Sequence, residues 1–181
     1  MDEKRNRKRA PLTNSFEQGK LPPQAVEIEE AVLGALLLEK NCVLPISEIL
    51  KPESFYKEAH QMIFRAIFNL FNKNAPIDIL TVVQELKRTE ELDIVGGPYF
   101  ITQLTNRIAS AANVEYHARI VAQKALQREM IGLSMETMRD AYEDSTDVFT
   151  LMDGHEKKLT AISNLVRPNS SRTILQLLGE V

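Results

Sequence analysis

The sequence predicts an all-α fold: a compact multi-helix bundle, then a long antiparallel helical hairpin and the start of a linker helix. Apolar residues recur at intervals of three and four along most of the chain, which is the spacing of a helix with one buried side. No stretch alternates apolar and polar residues with the period of a strand. Helix formers dominate, and the 181 residues include only seven Gly and eight Pro.

The hairpin is predicted over residues 113–166. Its first helix, about Val114 to Tyr142, carries two apolar stripes, and an acidic turn over 143–146 precedes the return helix. Apolar or near-apolar residues of the return helix follow the 4-3-4-3-4 spacing of a coiled-coil seam: Val148, Met152, His155, Leu159, Ile162 and Val166. Two helices cannot bury two stripes each against one another, so these six residues are candidates for an interface with a second body.

The helical bundle is predicted over residues 22–112. Glu27, Glu29 and Glu30 follow Pro22-Pro23 and are interpreted as the solvated start of the first helix, where acidic residues suit the helix dipole. A connector is expected over 89–95, and Gly96-Gly97-Pro98 is expected to turn the chain. Further helices are predicted from Leu44 to Leu50, Lys57 to Asn72, Ile79 to Arg88 and Tyr99 to Ile108, with Asp78 or Thr81 (paired with Gln84) and Asn113 as caps.

The two ends differ in composition from the bundle. Residues 1–21 are interpreted as a disordered basic leader, with its positive charges at Lys4, Arg5, Arg7, Lys8 and Arg9. Such a leader could contact nucleic-acid phosphates, or it could simply be solvated. Residues 167–181 read as a polar linker and a helix that begins at Thr173 and stops in mid-pattern at Val181. We therefore expect more protein to follow in a longer parent.

Composition and motifs argue against several functional classes. A single cysteine, Cys42, excludes a disulfide within the chain, and the longest apolar run is too short to span a bilayer. No apolar segment of a signal peptide follows Met1, so a cytoplasmic protein is expected. The sequence lacks a phosphate-binding loop, a dinucleotide fingerprint and an HExxH motif. We predict no catalytic, cofactor-binding or metal-binding residue, and interpret His60 and His155 as packing residues.

Several segments, taken in order, resemble the N-terminal domain of bacterial replicative DNA helicases of the DnaB type. No one of these motifs is diagnostic alone, but their order and spacing run without interruption from Pro22 to about Ile131. The segments are Pro22-Pro23-Gln24-Ala25-Val26-Glu27-Ile28-Glu29 with Val32-Leu33-Gly34-Ala35, Phe55-Tyr56-x3-His60-x2-Ile63-Phe64, Pro76-Ile77-Asp78 with Thr81, Val95-Gly96-Gly97 with Phe100, and Ser110-Ala111-Ala112-Asn113.

The resemblance implies a role in the hexameric, ATP-driven helicase that unwinds duplex DNA at the replication fork. In that family the N-terminal domains form a collar, often a trimer of dimers. The hairpin is a subunit interface of this collar, and the collar recruits primase. ATP and Mg²⁺ would be bound by a separate RecA-like motor domain, and DNA would be engaged mainly by the parent. The expected partners of this chain are a second copy, primase and a helicase loader. No interaction with a membrane is expected.

The resemblance also gives three candidate primase contacts: Glu27, Phe100 and Ile131. Phe100 stands where relatives often have Tyr, so no hydroxyl hydrogen bond is expected there. Phe100 and Ile131 could instead serve packing within the chain. Three alternatives stay open on the sequence: the helicase-binding domain of a primase, which shares the bundle-plus-hairpin plan, a nucleic-acid-binding module that uses the leader, and a free-standing enzyme.

Overall fold

The structure is a computed structural model that describes residues 21–106, 111–143 and 147–166. Within these ranges the regular structure is entirely helical, which confirms the predicted all-α class. Most of the basic leader, the end predicted for the sixth helix at Ile108, most of the acidic turn, and the linker with its helix lie outside the described residues. The division of the chain into four segments stays a prediction.

Eight α-helices and two short 3₁₀ turns make up the described part of the chain. The turns are Lys40–Cys42 and Pro52–Ser54. The helices are α1 (Val26–Leu38), α2 (Val43–Ile49), α3 (Glu58–Asn72), α4 (Ile79–Arg88), α5 (Leu92–Val95), α6 (Gly97–Asn106), α7 (Val114–Ala141) and α8 (Val148–Val166). The hairpin helices begin where the sequence predicts, and α7 ends one residue earlier.

Helix α1 is the centre of the bundle. It packs against α3, α6 and α7, and Val32, Leu33 and Leu36 are fully buried between them. A helix that is apolar nearly all round must be covered on several sides. Helix α3 adds Ile63 and Ile67 to the same core, and α4, α5 and α6 complete it.

Helix α7 has two different environments along its length. Its first stripe, Val114, Ala118, Val121 and Ala125, is buried, and this part of α7 packs against α1 and α2. Beyond it, α7 packs against α8, where Leu133 is buried. The helix therefore belongs to both the bundle and the hairpin.

Several local predictions need correction. The expected connector at 89–95 contains α5, and α6 begins at Gly97 rather than Tyr99. Asp78 caps α4 by accepting the backbone N–H of Thr81, whose hydroxyl in turn accepts the N–H of Asp78, so Gln84 is not needed for this capping box. Asn113 occupies the N-cap position of α7 without a capping hydrogen bond from its side chain.

Candidate partner-binding surface

The six candidate interface residues of α8 occupy different environments. Three of them are exposed, by 59%, 65% and 39% of their surface: Val148, Met152 and Leu159. His155 and Ile162 are half-buried, and the side chain of Val166 lies outside the described residues. Helix α8 therefore uses only part of its predicted seam within this chain.

The contact between α7 and α8 depends on polar residues that the apolar pattern does not reveal. Thr137 Oγ1 lies 2.7 Å from His155 Nδ1, and Lys158 Nζ lies 2.7 Å from Glu136 Oε1. Half-buried Leu151 lines the same shallow groove between the two helices. Within this chain His155 is half-buried and faces a threonine rather than an apolar neighbour, and its role in an interface stays a prediction.

The second apolar stripe of α7 is largely accessible. Ile131, Met135 and Tyr142 are exposed by 43%, 52% and 74%, and Met138 is half-buried. Phe149 of α8, which the seam pattern leaves out, is exposed by 76%. Both helices of the hairpin therefore carry apolar side chains that the described residues leave exposed.

The three candidate primase contacts lie on different helices. Glu27 is exposed in the first turn of α1, and Ile131 is exposed on α7. Phe100 of α6 is only half-buried and packs against the core with its ring stacked on His60. Because α1 packs against both α6 and α7, the fold gathers the three helices, although it does not by itself assign the three residues a partner.

A buried polar pair joins α1 to α3. Glu29 is 1% exposed and His60 is fully buried, with His60 Nδ1 2.7 Å from Glu29 Oε2. The other oxygen of Glu29 accepts the backbone N–H of Tyr56 at 2.7 Å. The prediction that Glu29 and Glu30 are solvated is wrong, since Glu30 is also buried. The helical pattern of the sequence does not predict this pair, because 31 residues separate its two members.

Arg128 connects α7 to the start of the bundle through hydrogen bonds. Its guanidinium donates to the carbonyl oxygens of Pro23 at 2.8 Å and Ser54 at 2.7 Å. The same group lies 5.8 Å from the centre of the Tyr56 ring, within the range of a cation–π contact. A planar guanidinium can serve two carbonyls at once, so this one side chain ties together three segments that are distant in sequence.

The described residues offer little support for a metal site, a membrane span or a reactive thiol. They contain no group of three or more His, Cys, Asp or Glu side chains that could hold a metal ion. None of their helices combines the length and the apolar character needed to cross a bilayer. Burial, followed by the charges of Glu39 and Glu115, raises the pKa of the Cys42 thiol, so that it stays protonated at neutral pH.

Fold and sequence together place the chain among the helical N-terminal domains of replicative helicases. The family model of the DnaB-like helicase N-terminal domain matches residues 21–123. The chain therefore belongs to the DnaB-like helicase N-terminal domain family, and the resemblance predicted from its motifs is confirmed.

Curated relatives agree with this assignment. The chain is 46% identical over 162 residues to the replicative DNA helicase DnaB of Rhodothermus marinus, covering 90% of this chain and 17% of the relative. It is 36% identical over 159 residues to that of Geobacillus stearothermophilus, covering 88% of this chain and 35% of the relative. The chain thus spans about a sixth to a third of the length of these helicases.

Solved structures share the fold. The N-terminal domain of the DnaB helicase from Mycobacterium tuberculosis matches with a TM-score of 0.74 at 34% identity, covering 78% of this chain and 99% of that one. A DnaB-like replicative helicase described with its interactions with primase matches with a TM-score of 0.63 at 20% identity, covering 85% of this chain and 34% of that one. At 20% identity the second match supports the fold alone.

Proposed function

We propose that this chain is the collar and primase-interaction domain of an ATP-dependent replicative DNA helicase that unwinds duplex DNA at the replication fork. The observation that carries the proposal is the apolar surface left exposed on both helices of the hairpin. Family membership supports the helicase context, because the curated relatives are replicative DNA helicases. The domain's task would then be assembly and recruitment, and the parent would do the unwinding.

A second copy of the chain is the proposed occupant of the exposed hairpin surface. Met152 of α8 and Met135 of α7 are more than half exposed, although burial of such side chains is worth about 1.5–3 kcal/mol each. A dimer through the hairpin would cover them, and three such dimers would build a hexameric ring. In this proposal the seam residues Val148, Met152, His155, Leu159, Ile162 and Val166 form or support the interface.

Primase is the proposed partner of the bundle. Two DnaB-type structures with the same fold, one of them the N-terminal domain of the Helicobacter pylori helicase, were described together with their interactions with primase. Glu27, Phe100 and Ile131 are the proposed contacts. Each is accessible at least in part, which a direct contact requires.

The remaining functions belong to the proposed parent. Its motor domain would bind ATP and Mg²⁺, and the parent would engage DNA. A helicase loader is a further proposed partner, and the proposed location is the cytoplasm. None of these roles requires a cofactor in the present chain.

Light scattering across concentration, without and with cognate primase, tests the proposal. We expect the chain to self-associate as concentration rises, and to form a heavier species when primase is added. A chain that stays monomeric at every concentration and also fails to bind primase would rule the proposed function out.

A further inference from the structure

A continuous series of contacts lies behind Phe100, one of the proposed primase contacts. The Phe100 and His60 rings are nearly parallel, with centroids 6.0 Å apart and planes 8° apart. His60 pairs with Glu29, and Glu29 accepts the backbone N–H of Tyr56, both at 2.7 Å. The Tyr56 ring in turn meets the Arg128 guanidinium. These five residues connect α6, α3, α1 and α7.

His60 Nδ1 faces an oxygen of the Glu29 carboxylate at 2.7 Å. An ionised carboxylate only accepts hydrogen bonds, so we assign the ring hydrogen to Nδ1. The opposite ring nitrogen, Nε2, is buried without a hydrogen-bond partner among the described residues. Buried polar atoms without partners are rare. The face of the same ring is in use, since it stacks on Phe100.

Phe100 follows a glycine turn. Gly96 precedes α6 with φ of +103°, and a Cβ at this position would meet the Cβ of Phe100 at 3.4 Å, an ordinary van der Waals contact. The positive φ, which glycine adopts readily, helps to set where α6 and Phe100 begin. The contact that bears on the orientation of the Phe100 ring is its stacking on His60.

The other two proposed primase contacts lie close in sequence but outside this series of contacts. Glu27 lies two residues before Glu29 on α1 and is exposed where Glu29 is buried, and Ile131 lies three residues after Arg128 on α7. A change in the buried pair would therefore be felt first at Phe100. The pair itself is inaccessible to a partner, because both side chains are buried.

We propose that Glu29 and His60 are positioning residues for primase binding, which hold the Phe100 ring in the orientation that primase meets. The inference rests on the proposed function and deepens it. It differs from a purely structural role because it requires His60 to act through Phe100. A side chain that merely stabilises the bundle would affect primase binding only through the amount of folded protein.

His60→Asn is the most direct test. The asparagine amide nitrogen can replace Nδ1 and still donate to Glu29, whereas the ring under Phe100 is lost. We expect the affinity of the 181-residue chain for cognate primase to weaken roughly threefold and at most about tenfold, because the strength of a stacked aromatic pair limits what its loss can cost in preorganisation. Ile67→Val, a core change two turns further along α3, is the matched control and should bind as the wild type does.

Phe100→Ala separates positioning from a general effect. If His60 acts through Phe100, adding His60→Asn to Phe100→Ala should weaken primase binding no further. Additive losses would overturn the inference. So would unchanged affinity of His60→Asn in a chain whose Phe100→Ala variant binds weakly, and that result would leave the proposed function standing. A wild-type chain that does not bind primase would contradict the proposed function itself, and the inference with it.

Glu29→Gln gives a spectroscopic test that needs no primase, should His60→Asn fail to fold. The glutamine amide can donate to Nδ1, which would move the ring proton to Nε2. We expect nitrogen NMR to report the Nδ1–H form in the wild type and the Nε2–H form in Glu29→Gln, with shifted Phe100 ring resonances. The Nε2–H form in the wild type, or unmoved Phe100 resonances in the variant, would overturn the proposed positioning.

Discussion

Glu85 on α4 shows how a charged residue can be kept inside the bundle. Its carboxylate is 6% exposed and meets the Arg88 guanidinium at 2.8 Å and Lys73 Nζ at 3.1 Å. The hydrogen bond from Arg88, aided by Lys73, lowers the pKa of Glu85 to about 2, against the opposing effect of burial. Both cations are more than half exposed, so solvent screens much of this attraction.

Replacing Glu85 with Gln should lower the free energy of unfolding by about 1 kcal/mol at pH 7. Because the folded-state pKa is lowered, this stabilisation is present above the ordinary carboxyl pKa of 4.5 and is lost as pH falls toward about 2. Urea unfolding of wild type and variant over this range would measure it. Exposed Glu48→Gln is the control, and a difference that persists unchanged at pH 2 would contradict the account.

At the residue scale, a helical pattern predicts which apolar side chains are buried but not which polar ones are. Glu27 and Glu29 look alike in the sequence, yet only Glu29 points into the bundle. Its burial depends on His60 and Tyr56 arriving from another segment. Such pairing arises from tertiary contacts, which a helical period cannot encode.

At the scale of elements, the turn between α5 and α6 depends on glycine. Gly96 and Gly97 have φ of +103° and +75°, in the left-handed region that residues with a Cβ rarely adopt. The dipeptide lets the chain leave the four-residue helix α5 and start α6 at once. Phe100, one turn into α6, takes its position from this turn.

Gly96→Ala should therefore destabilise the chain by about 1 kcal/mol or more. Gly132→Ala is a control expected to change stability in the opposite direction, by about 0.5–1 kcal/mol. Gly132 lies inside α7, and a Cβ there would meet no atom within 4 Å. Thermal or urea unfolding of both variants would show the two signs. A Gly96→Ala variant as stable as the wild type would contradict the role given to this turn.

Long helices were predictable because their period repeats many times. The start of both hairpin helices and the end of α8 agree with the sequence prediction. Helix α5 could not be predicted, because its four residues make barely one turn. A segment that short does not show a helical period of apolar residues. The sequence offers Asp78 and Thr81 as alternative caps of α4, whereas the structure shows that the two residues cap it together.

On the scale of the whole molecule, the family and fold could be predicted and the partner surface could not. Ordered motifs from Pro22 to Ile131 carried the family, because their spacing reflects one common fold. An exposed methionine and a buried one look the same in a helical pattern, however. The structure separates the first stripe of α7, which the bundle buries, from the second stripe, in which Ile131, Met135 and Tyr142 stay exposed.

The exposed hairpin surface is proposed to join two copies of this chain. The substitution Met152→Glu tests this proposal most directly. Sedimentation of wild type, Met152→Glu and Leu44→Glu at several concentrations would compare charge on the hairpin with charge on the bundle, since both residues are more than half exposed. We predict that wild type and Leu44→Glu self-associate alike, whereas Met152→Glu shifts strongly toward monomer. Equal self-association of all three, with each variant folded, would contradict the claim.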